Sequence, residues 1–146
     1  MLVYLDSSVL ARAYLADEDG HAQARRLLED PGVGLITSSL TRVEVSGALV
    51  RAGRAGRVDA VPLLDVLDAD LDVTGLVALV SPPYEDVEAA ALTIVRKHGL
   101  RALDSWHLAV ASIAGPTLAD GDEVVAFASR DSEQAAVAVA LGLTAL

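Results

Sequence analysis

Short apolar runs alternate with stretches of helical periodicity along the whole chain. Apolar runs bounded by turn residues predict buried strands, whereas apolar residues spaced by three and four predict helices. The predicted strands are Leu2 to Leu5, Val33 to Thr37, Leu76 to Val80, Glu123 to Ala128 and an edge strand at Leu143 to Leu146. Because helical segments connect them, we expect an α/β fold with a mainly parallel, four- to five-stranded sheet between helices.

Helical patterns fill the segments between these strands. The predicted helices are one that carries Val9, Leu10, Ala13 and Tyr14, then His21 to Glu29, Ser38 or Ser39 to Ala52, Asp59 to Asp70, Tyr84 to His98, Leu103 to Ala114 and Ser132 to Leu141. Gly99 is typical of a helix C-terminus. We expect Gly115-Pro116 to end the apolar helix that starts at Leu103. Without a linker, repeat or low-complexity tract, the chain is expected to form one domain over residues 1–146.

Composition narrows the class of protein. The chain is 53% hydrophobic, yet it has no stretch of ~18 apolar residues that could span a membrane, and no signal-peptide pattern. We therefore expect no membrane association, with the surplus apolar side chains serving a core and an interface to another chain. The absence of cysteine excludes disulfides and thiolate metal sites and agrees with a cytoplasmic location.

Acidic residues outnumber basic ones, 21 to 11, which gives a formal net charge of −10. A protein that only binds nucleic acid through its phosphates is normally basic. This balance argues against a plain nucleic-acid-binding module. It is consistent with an enzyme that holds cations in an acidic pocket and contacts RNA through local basic residues, and most surplus acids are expected only to keep the surface soluble.

Four acidic residues lie where strands end or helices begin. Asp6 follows the first strand, Asp131 follows the fourth, and Glu44 and Asp104 are predicted in the first turns of helices. Because the carboxyl ends of parallel strands share one edge of a sheet, the four carboxylates are expected to converge there. Clustered carboxylates repel, and Mg²⁺ or Mn²⁺, which prefers oxygen ligands, would resolve this. Such a site can activate water for attack on a phosphodiester.

Three of these acids have a structural alternative as helix caps. Asp6, Asp104 and Asp131 each stand just before or at a predicted helix start, where a carboxylate accepts backbone N–H groups. For Asp131, Gln134 could complete a capping box. Each acid taken singly is more often a cap than a catalytic group, so the convergence of all four is what favours the functional interpretation.

Glu44 stands apart because it lies on an expected apolar stripe. It follows Leu40 by four residues and precedes Gly47 by three, so the three should share one helix face. A carboxylate there is costly unless it is paired, hydrogen-bonded or bound to a metal. The alternative is a capping box that starts at Thr41, with Glu44 reaching back to the helix start.

Four motifs occur in an order and spacing that resemble a known family. They are Asp6-Ser7-Ser8, Ser38 to Glu44, Leu103 to Ala109, and Ser129-Arg130-Asp131. Together they are similar to the motifs of PIN-domain ribonucleases, and most of all to VapC toxins of bacterial toxin–antitoxin pairs. The resemblance covers essentially the whole chain. Where many relatives carry Asn or Thr beside the first Asp, this chain has Ser7 and Ser8, whose hydroxyls can still hydrogen-bond a carboxylate.

The resemblance implies a fold, an activity and partners. The fold would be a PIN-like three-layer α/β/α sandwich. The activity would be metal-dependent cleavage of RNA, with Mg²⁺ or Mn²⁺ held by the acidic quartet of Asp6, Glu44, Asp104 and Asp131. The chain would form a homodimer, and a small VapB-like antitoxin would neutralise it by covering the active-site groove. We expect the antitoxin to contact the helices within Ser8 to Glu29 and Ser39 to Asp70.

Other polar residues are candidates for supporting roles. Ser7, Ser8 and Ser129 lie beside the acids, while Arg12 and Arg42 could contact RNA or balance Glu44. Two basic clusters could also contact phosphates or simply favour helix C-termini: Arg51, Arg54 and Arg57, and Arg96, Lys97, His98 and Arg101. The histidines show no zinc-ligand spacing. We expect His107 to be structural rather than a general base.

Three hypotheses for function remain. The leading one is a metal-dependent endoribonuclease of the toxin type. The second is a catalytically inactive scaffold of the same fold that only binds a protein partner. The third is a phosphate-transferring hydrolase with Asp6 as nucleophile, which ranks last because Ser8 occupies the place where such enzymes often carry a second acid.

Overall fold

The computed structural model describes all residues from Met1 to Leu146 and has a five-stranded sheet at its centre. The strands are β1 (Leu2–Leu5), β2 (Gly34–Ser38), β3 (Ala78–Val80), β4 (Val125–Ala128) and β5 (Thr144–Ala145). They lie in the order β3-β2-β1-β4-β5, and every neighbouring pair is parallel. The predicted α/β class is confirmed, with a sheet that is parallel throughout.

Seven helices cover both faces of the sheet. They are α1 (Ser7–Tyr14), α2 (His21–Leu28), α3 (Ser39–Arg54), α4 (Ala60–Asp70), α5 (Tyr84–His98), α6 (Ala102–Leu118) and α7 (Ser132–Ala140). Because side chains alternate along a strand, Val3 and Leu5 of β1 pack in the core formed with α1 to α4. Leu2 and Tyr4 pack in the core formed with α5 to α7. The predicted three-layer α/β/α sandwich is confirmed.

β1 occupies the centre of the sheet because all four of its residues are apolar or aromatic and buried. A strand covered on both faces has no solvent side, so it shows a continuous apolar run rather than an alternating one. Asp6 is therefore the first polar side chain after the central strand, at the edge where the chain turns into α1. This position makes the carboxyl end of β1 the natural place for a polar site.

The prediction that Gly115-Pro116 ends the apolar helix is wrong, because α6 continues to Leu118. Gly115 lies where α6 crosses the sheet: a Cβ built on it would stand 2.4 Å from Cγ1 of Val125. Pro116 lies in the final turn, where its missing N–H removes a single backbone hydrogen bond. Packing of α6 against the sheet overrides the tendency of glycine and proline to end a helix. Gly115 instead allows α6 to approach β4 closely.

The prediction that Leu40, Glu44 and Gly47 lie on the buried face of α3 is also wrong, because the observed buried face is rotated by a fraction of a turn. The residues that face the core are Thr41, Val45, Leu49 and Ala52, while Val43 is 69% exposed. Apolar residues occur on both sides of this helix, so spacing alone could not select the buried face. Glu44 consequently lies at the border of the buried face rather than within it, and its side chain reaches the polar edge of the sheet.

Other boundaries agree with expectation to within a few residues. Gly99 ends α5 with a φ of +72°, a left-handed conformation that glycine adopts without strain. β3 is shorter than predicted, since it begins at Ala78 rather than Leu76. None of the helices has the length and apolar character that crossing a membrane would require.

We predict that Gly115→Ala destabilises the protein, although alanine normally stabilises a helix interior by about 1 kcal/mol relative to glycine. The new methyl group would overlap Val125, and overpacking of this kind costs about 1–3 kcal/mol. Urea unfolding of Gly115→Ala, Val125→Ala and the double variant measures the effect. The double variant should be more stable than the sum of the single changes predicts. A stabilised Gly115→Ala protein would contradict this account of the α6–β4 contact.

Candidate active site

The four predicted acids line one cavity of about 340 Å³ at the carboxyl edge of the sheet, which we call the acidic cavity. The structure thus brings Asp6, Glu44, Asp104 and Asp131 together from four different elements. Ser7 and Ser8 from the start of α1 and Gln134 from α7 complete much of its wall. Residues widely separated in sequence meet here because the parallel sheet gathers the strand ends and helix starts on one side.

Asp6 is both the N-cap of α1 and part of the acidic cavity. Its Oδ2 accepts hydrogen bonds from the Ser8 backbone N–H at 3.2 Å and the Ser8 hydroxyl at 2.6 Å. Its Oδ1 lies 3.6 Å from Nε2 of His107. The side chain is buried, so its position is fixed. One carboxylate oxygen satisfies the helix start while the other lies beside His107.

Asp131 also has two functions in the fold. Its Oδ1 caps α7 by accepting from the backbone N–H groups of Glu133 and Gln134, at 2.9 and 3.1 Å. The capping box with Gln134 does not form. Instead, the Gln134 side chain accepts from the Ser129 hydroxyl at 2.6 Å and donates to the Asp104 carbonyl at 3.2 Å. Gln134 is therefore a buried link between α6 and the β4–α7 loop that the sequence did not reveal.

The cap alternatives proposed for the other two acids are wrong. α6 begins at Ala102, so Asp104 lies in its first turn rather than at its N-cap. Glu44 lies beyond the first turn of α3, and no capping box forms with Thr41. Its Oε2 is hydrogen-bonded to Nε2 of His107 at 2.7 Å instead. Neither carboxylate is needed to satisfy a helix terminus.

His107 joins the acidic cavity to the core of the protein. The side chain is 1% exposed, and its Nδ1 lies 2.9 Å from the hydroxyl of Tyr4 on β1. Because Nε2 faces two carboxylates, Glu44 and Asp6, it must carry a proton and donate. In the neutral ring, Nδ1 then accepts from the Tyr4 O–H. The expectation of a structural histidine agrees with these contacts, and its link to Glu44 was not foreseen.

The hydrogen bond from His107 favours the ionised form of Glu44. It holds the pKa of the Glu44 carboxyl below its ordinary value, with a smaller contribution from the Ser7 hydroxyl, although partial burial acts in the opposite direction. Burial raises the pKa of Tyr4 to about 12. The Tyr4 phenol therefore keeps its proton over the physiological range and remains a donor to His107.

Arg101 forms the cationic side of the acidic cavity. Its Nε lies 2.7 Å from Oδ2 of Asp104, and its Nη2 lies 3.3 Å from Oδ2 of Asp131. These two carboxylates raise the pKa of the guanidinium above its ordinary value, with Asp104 contributing most. The side chain is 78% exposed, so the pairs are weak and readily exchanged. Sequence reasoning placed Arg101 in a basic cluster at the end of α5 and missed this contact.

The predicted serines lie at the site. Ser7 and Ser8 line the acidic cavity. The Ser129 hydroxyl lies 3.4 Å from Oδ2 of Asp6 and is hydrogen-bonded to the Asp131 backbone N–H at 3.0 Å. These hydroxyls hold the cap residues in place and leave the acids facing one another.

The two predicted arginines do not reach the acids. Arg12 donates to the backbone carbonyls of Ser8 and Asp19, at 2.7 and 3.0 Å. Arg42 pairs with Asp68 on α4 at 2.6 Å. The proposal that an arginine balances Glu44 is therefore wrong, because His107 supplies that hydrogen bond. Arg12 instead stabilises the turn between α1 and α2.

The donor set suits a hard divalent cation, but it is not arranged as a finished coordination cage. No group of three or more His, Cys, Asp or Glu side chains is arranged to hold a metal ion. Four carboxylates without thiolates are the ligands that Mg²⁺ or Mn²⁺ prefers. Because Arg101 bridges Asp104 and Asp131, these two acids would exchange the guanidinium for a cation on binding.

Comparison with known proteins gives a family and a structural relative. The family model described as PIN domain matches residues 3–140. Among solved structures, the chain is similar to one described as the 2.2 Å resolution structure of VapBC-1 from nontypeable Haemophilus influenzae. The two are 15% identical with a TM-score of 0.62, over 100% of this chain and 97% of that chain. At this identity the likeness shows the fold alone. No curated protein matches the chain.

We predict that Tyr4→Phe lowers the free energy of unfolding by about 1–3 kcal/mol, because it leaves the buried Nδ1 of His107 without a partner. Tyr84→Phe is the matched control, since Tyr84 is 63% exposed and its hydroxyl makes no hydrogen bond to the rest of the chain. Urea unfolding of both variants measures the difference. Equal stability of the two variants would contradict the role assigned to the Tyr4–His107 hydrogen bond.

The lowered pKa of Glu44 predicts a pH-dependent contribution to stability. Its folded pKa lies below the ordinary value of 4.5, so the contribution is present above that pH and is lost as the pH falls through the folded value. The stability of the wild type relative to Glu44→Gln should therefore be greater near neutral pH than in acid. Urea unfolding in EDTA measures this, with the exposed Glu88→Gln as control. A difference that stays constant or grows in acid would refute the assignment.

Proposed function

The chain belongs to the PIN domain family, and from this we propose that it is a metal-dependent endoribonuclease that hydrolyses RNA phosphodiester bonds as the toxin of a toxin–antitoxin pair. The observation that carries the proposal is the meeting of Asp6, Glu44, Asp104 and Asp131 in one cavity at the carboxyl edge of a parallel sheet. Four carboxylates that line one cavity favour a cation among them. The cavity is also open to solvent on the side where Arg101 lies, which suits a polymeric substrate.

The four carboxylates would hold Mg²⁺ or Mn²⁺. When bound, the cation would activate water and offset negative charge on the scissile phosphate. The chain's own residues prepare the site for this. The His107 hydrogen bond favours the ionised form of Glu44, and the caps of α1 and α7 fix Asp6 and Asp131. Arg101 could move from the acids to a substrate phosphate, since its contacts are exposed.

Partners belong to the same proposal. The chain would be neutralised by a small VapB-like antitoxin, for which the groove between α1 and α3 is the candidate surface. This groove has a volume of about 560 Å³ and shares Ser7, Ser8 and Glu44 with the acidic cavity. A segment lying in it would therefore cover Glu44 and the adjoining edge of the acidic cavity. Homodimerisation belongs to the same proposal as what the resemblance implies, and a cytoplasmic location accords with an RNA substrate.

A second function is favoured by one observation. The bridge from Arg101 to Asp104 and Asp131 neutralises part of the cavity without a metal, as an inactive scaffold that only binds a protein partner would require. Metal binding distinguishes the two functions. An enzyme must exchange Arg101 for a cation, whereas a scaffold would keep the ion pairs.

We predict that Asp6→Asn and Asp104→Asn each abolish saturable Mn²⁺ binding and lower RNA cleavage by roughly 10²-fold or more, on the scale of removing one charge-stabilising group from an active site. Both variants should remain folded. Asn caps a helix about as well as Asp, and the exposed pair between Asp104 and Arg101 contributes little stability. Isothermal titration of partner-free protein with Mn²⁺ measures binding, and circular dichroism checks the fold.

The control is Asp122→Asn, an exposed carboxylate in the turn before β4. It should bind Mn²⁺ and cleave RNA like the wild type. Cleavage that survives in Asp6→Asn or Asp104→Asn would refute the proposed function. Absence of Mn²⁺ binding to folded wild-type protein would favour the scaffold.

A further inference from the structure

A second cavity of about 250 Å³ lies beside the acidic cavity, on the other side of α1 from the α1–α3 groove. We call it the basic cavity. Its walls come from α1, α2 and the end of β4, and it combines an apolar floor with cationic side chains. The residues that matter for the argument are Val9, Ala24, Leu27, Ala128, Arg12 and Arg130. None of the catalytic roles proposed above uses it.

The two cavities are separated by a single stretch of chain. Ser129 and Arg130 line the basic cavity, and the next residue, Asp131, lines the acidic cavity. The Ser8 hydroxyl accepts from the Arg130 backbone N–H at 3.1 Å and donates to Asp6 at 2.6 Å. Consecutive Cα atoms are about 3.8 Å apart. A nucleotide whose phosphate lies at the acids would therefore have its neighbour within reach of the basic cavity.

The charge of the basic cavity is opposite to that of the whole chain. The protein carries a formal net charge of −10, yet the charged side chains that line this cavity are two arginines. The last residue of the sequence, Leu146, also lines it. Arg12 is held by the carbonyls of Ser8 and Asp19, and its Nη2 lies 4.0 Å from Glu18. The Arg130 side chain forms no ion pair or hydrogen bond, so its guanidinium is available to a ligand.

The two arginine side chains meet at the mouth of the cavity. A Cβ built on Gly20 would lie 3.6 Å from Cζ of Arg130 and 3.7 Å from Cδ of Arg12. Gly20 also has a φ of +89°, which disfavours other residues there. The missing side chain thus leaves both arginines flanking an opening above the apolar floor of Val9, Ala24 and Leu27.

We propose that the basic cavity binds the nucleobase of the RNA nucleotide adjacent to the scissile phosphate, with Arg130 stacked on the base. The proposal rests on the proposed function, since it specifies how that site holds its substrate. A dry cavity of about 150 Å³ accommodates benzene, so about 250 Å³ admits one base. Single-stranded RNA is recognised by unstacked bases that lie on aromatic rings or arginine guanidinium planes.

The mixed lining favours a nucleotide over a simple anion. A phosphate alone would leave the apolar floor unused, whereas a nucleotide places its base on Val9, Ala24 and Leu27 and its phosphate near the arginines. An acidic peptide would be attracted by the same charges, but it would not need an apolar floor next to the acids. The mixed lining therefore favours a base as the occupant of the cavity.

The test uses the metal-free protein in EDTA, so that it does not depend on catalysis. Uridine 5′-monophosphate and adenosine 5′-monophosphate are titrated while the methyl resonances of Val9 and Leu27 are followed by NMR. The methyl groups of Leu92, on the exposed surface of α5, are the internal reference. Ribose 5-phosphate, which lacks a base, is the matched ligand control.

At least one nucleotide should shift the Val9 and Leu27 methyl resonances saturably and leave those of Leu92 unchanged. Arg130→Ala should weaken this binding roughly fivefold or more, on the scale of losing one stacked base. Arg26→Ala is the matched variant, because Arg26 is exposed on α2 and lies outside the cavity. It should bind like the wild type.

Three results would overturn the proposal: equal shifts with ribose 5-phosphate, equal losses in the two arginine variants, or no saturable shift with either nucleotide. The last would leave the cavity to a protein partner. Mn²⁺ titration separates this failure from failure of the proposed function. Mn²⁺ binding without nucleotide shifts rejects only the base site, whereas base-dependent shifts without Mn²⁺ binding support the base site and reject the hydrolase.

Discussion

The candidate site depends on one series of hydrogen bonds, which runs from Tyr4 through His107 to Glu44. It starts in the central strand, crosses the core within α6 and ends on a carboxylate of α3. A buried imidazole is unfavourable unless both nitrogens are satisfied, and here each has a partner from a different element. This series of hydrogen bonds therefore connects β1, α6 and α3. It also holds the ionised carboxylate of Glu44 beside Asp6.

Around these hydrogen bonds, several neutral and cationic groups limit repulsion among the four acids of the cavity. The caps of α1 and α7 use one oxygen each of Asp6 and Asp131. Arg101 pairs with Asp104 and Asp131 from the solvent side, where screening keeps the interaction weak. The buried groups are thus firmly held, while the exposed cation can be exchanged. The proposed exchange of Arg101 for a metal ion would use this combination.

The sequence predicted the sheet well because strand signals are local. The apolar run of β1 and the abrupt change at Asp6 are visible without knowledge of the fold, and parallel topology then places Asp131 at the same edge. The contacts of His107 could not be predicted, because its partners Tyr4 and Glu44 lie 103 and 63 residues away. The only local signal was a polar side chain in a nearly all-apolar helix. The prediction that Gly115 ends α6 was wrong for a related reason, since the role of Gly115 depends on a neighbour in β4.

In the proposed enzyme, the four carboxylates bind a divalent cation in place of Arg101. A crystal structure of the protein with Mn²⁺, with the ion located by its anomalous scattering, tests this most directly. The account predicts a peak in the acidic cavity, roughly 2.0–2.3 Å from oxygens of Asp6 and at least one other member of the quartet, with the Arg101 guanidinium displaced from Asp104. Absence of a peak there, with Arg101 still bridging Asp104 and Asp131, would contradict it.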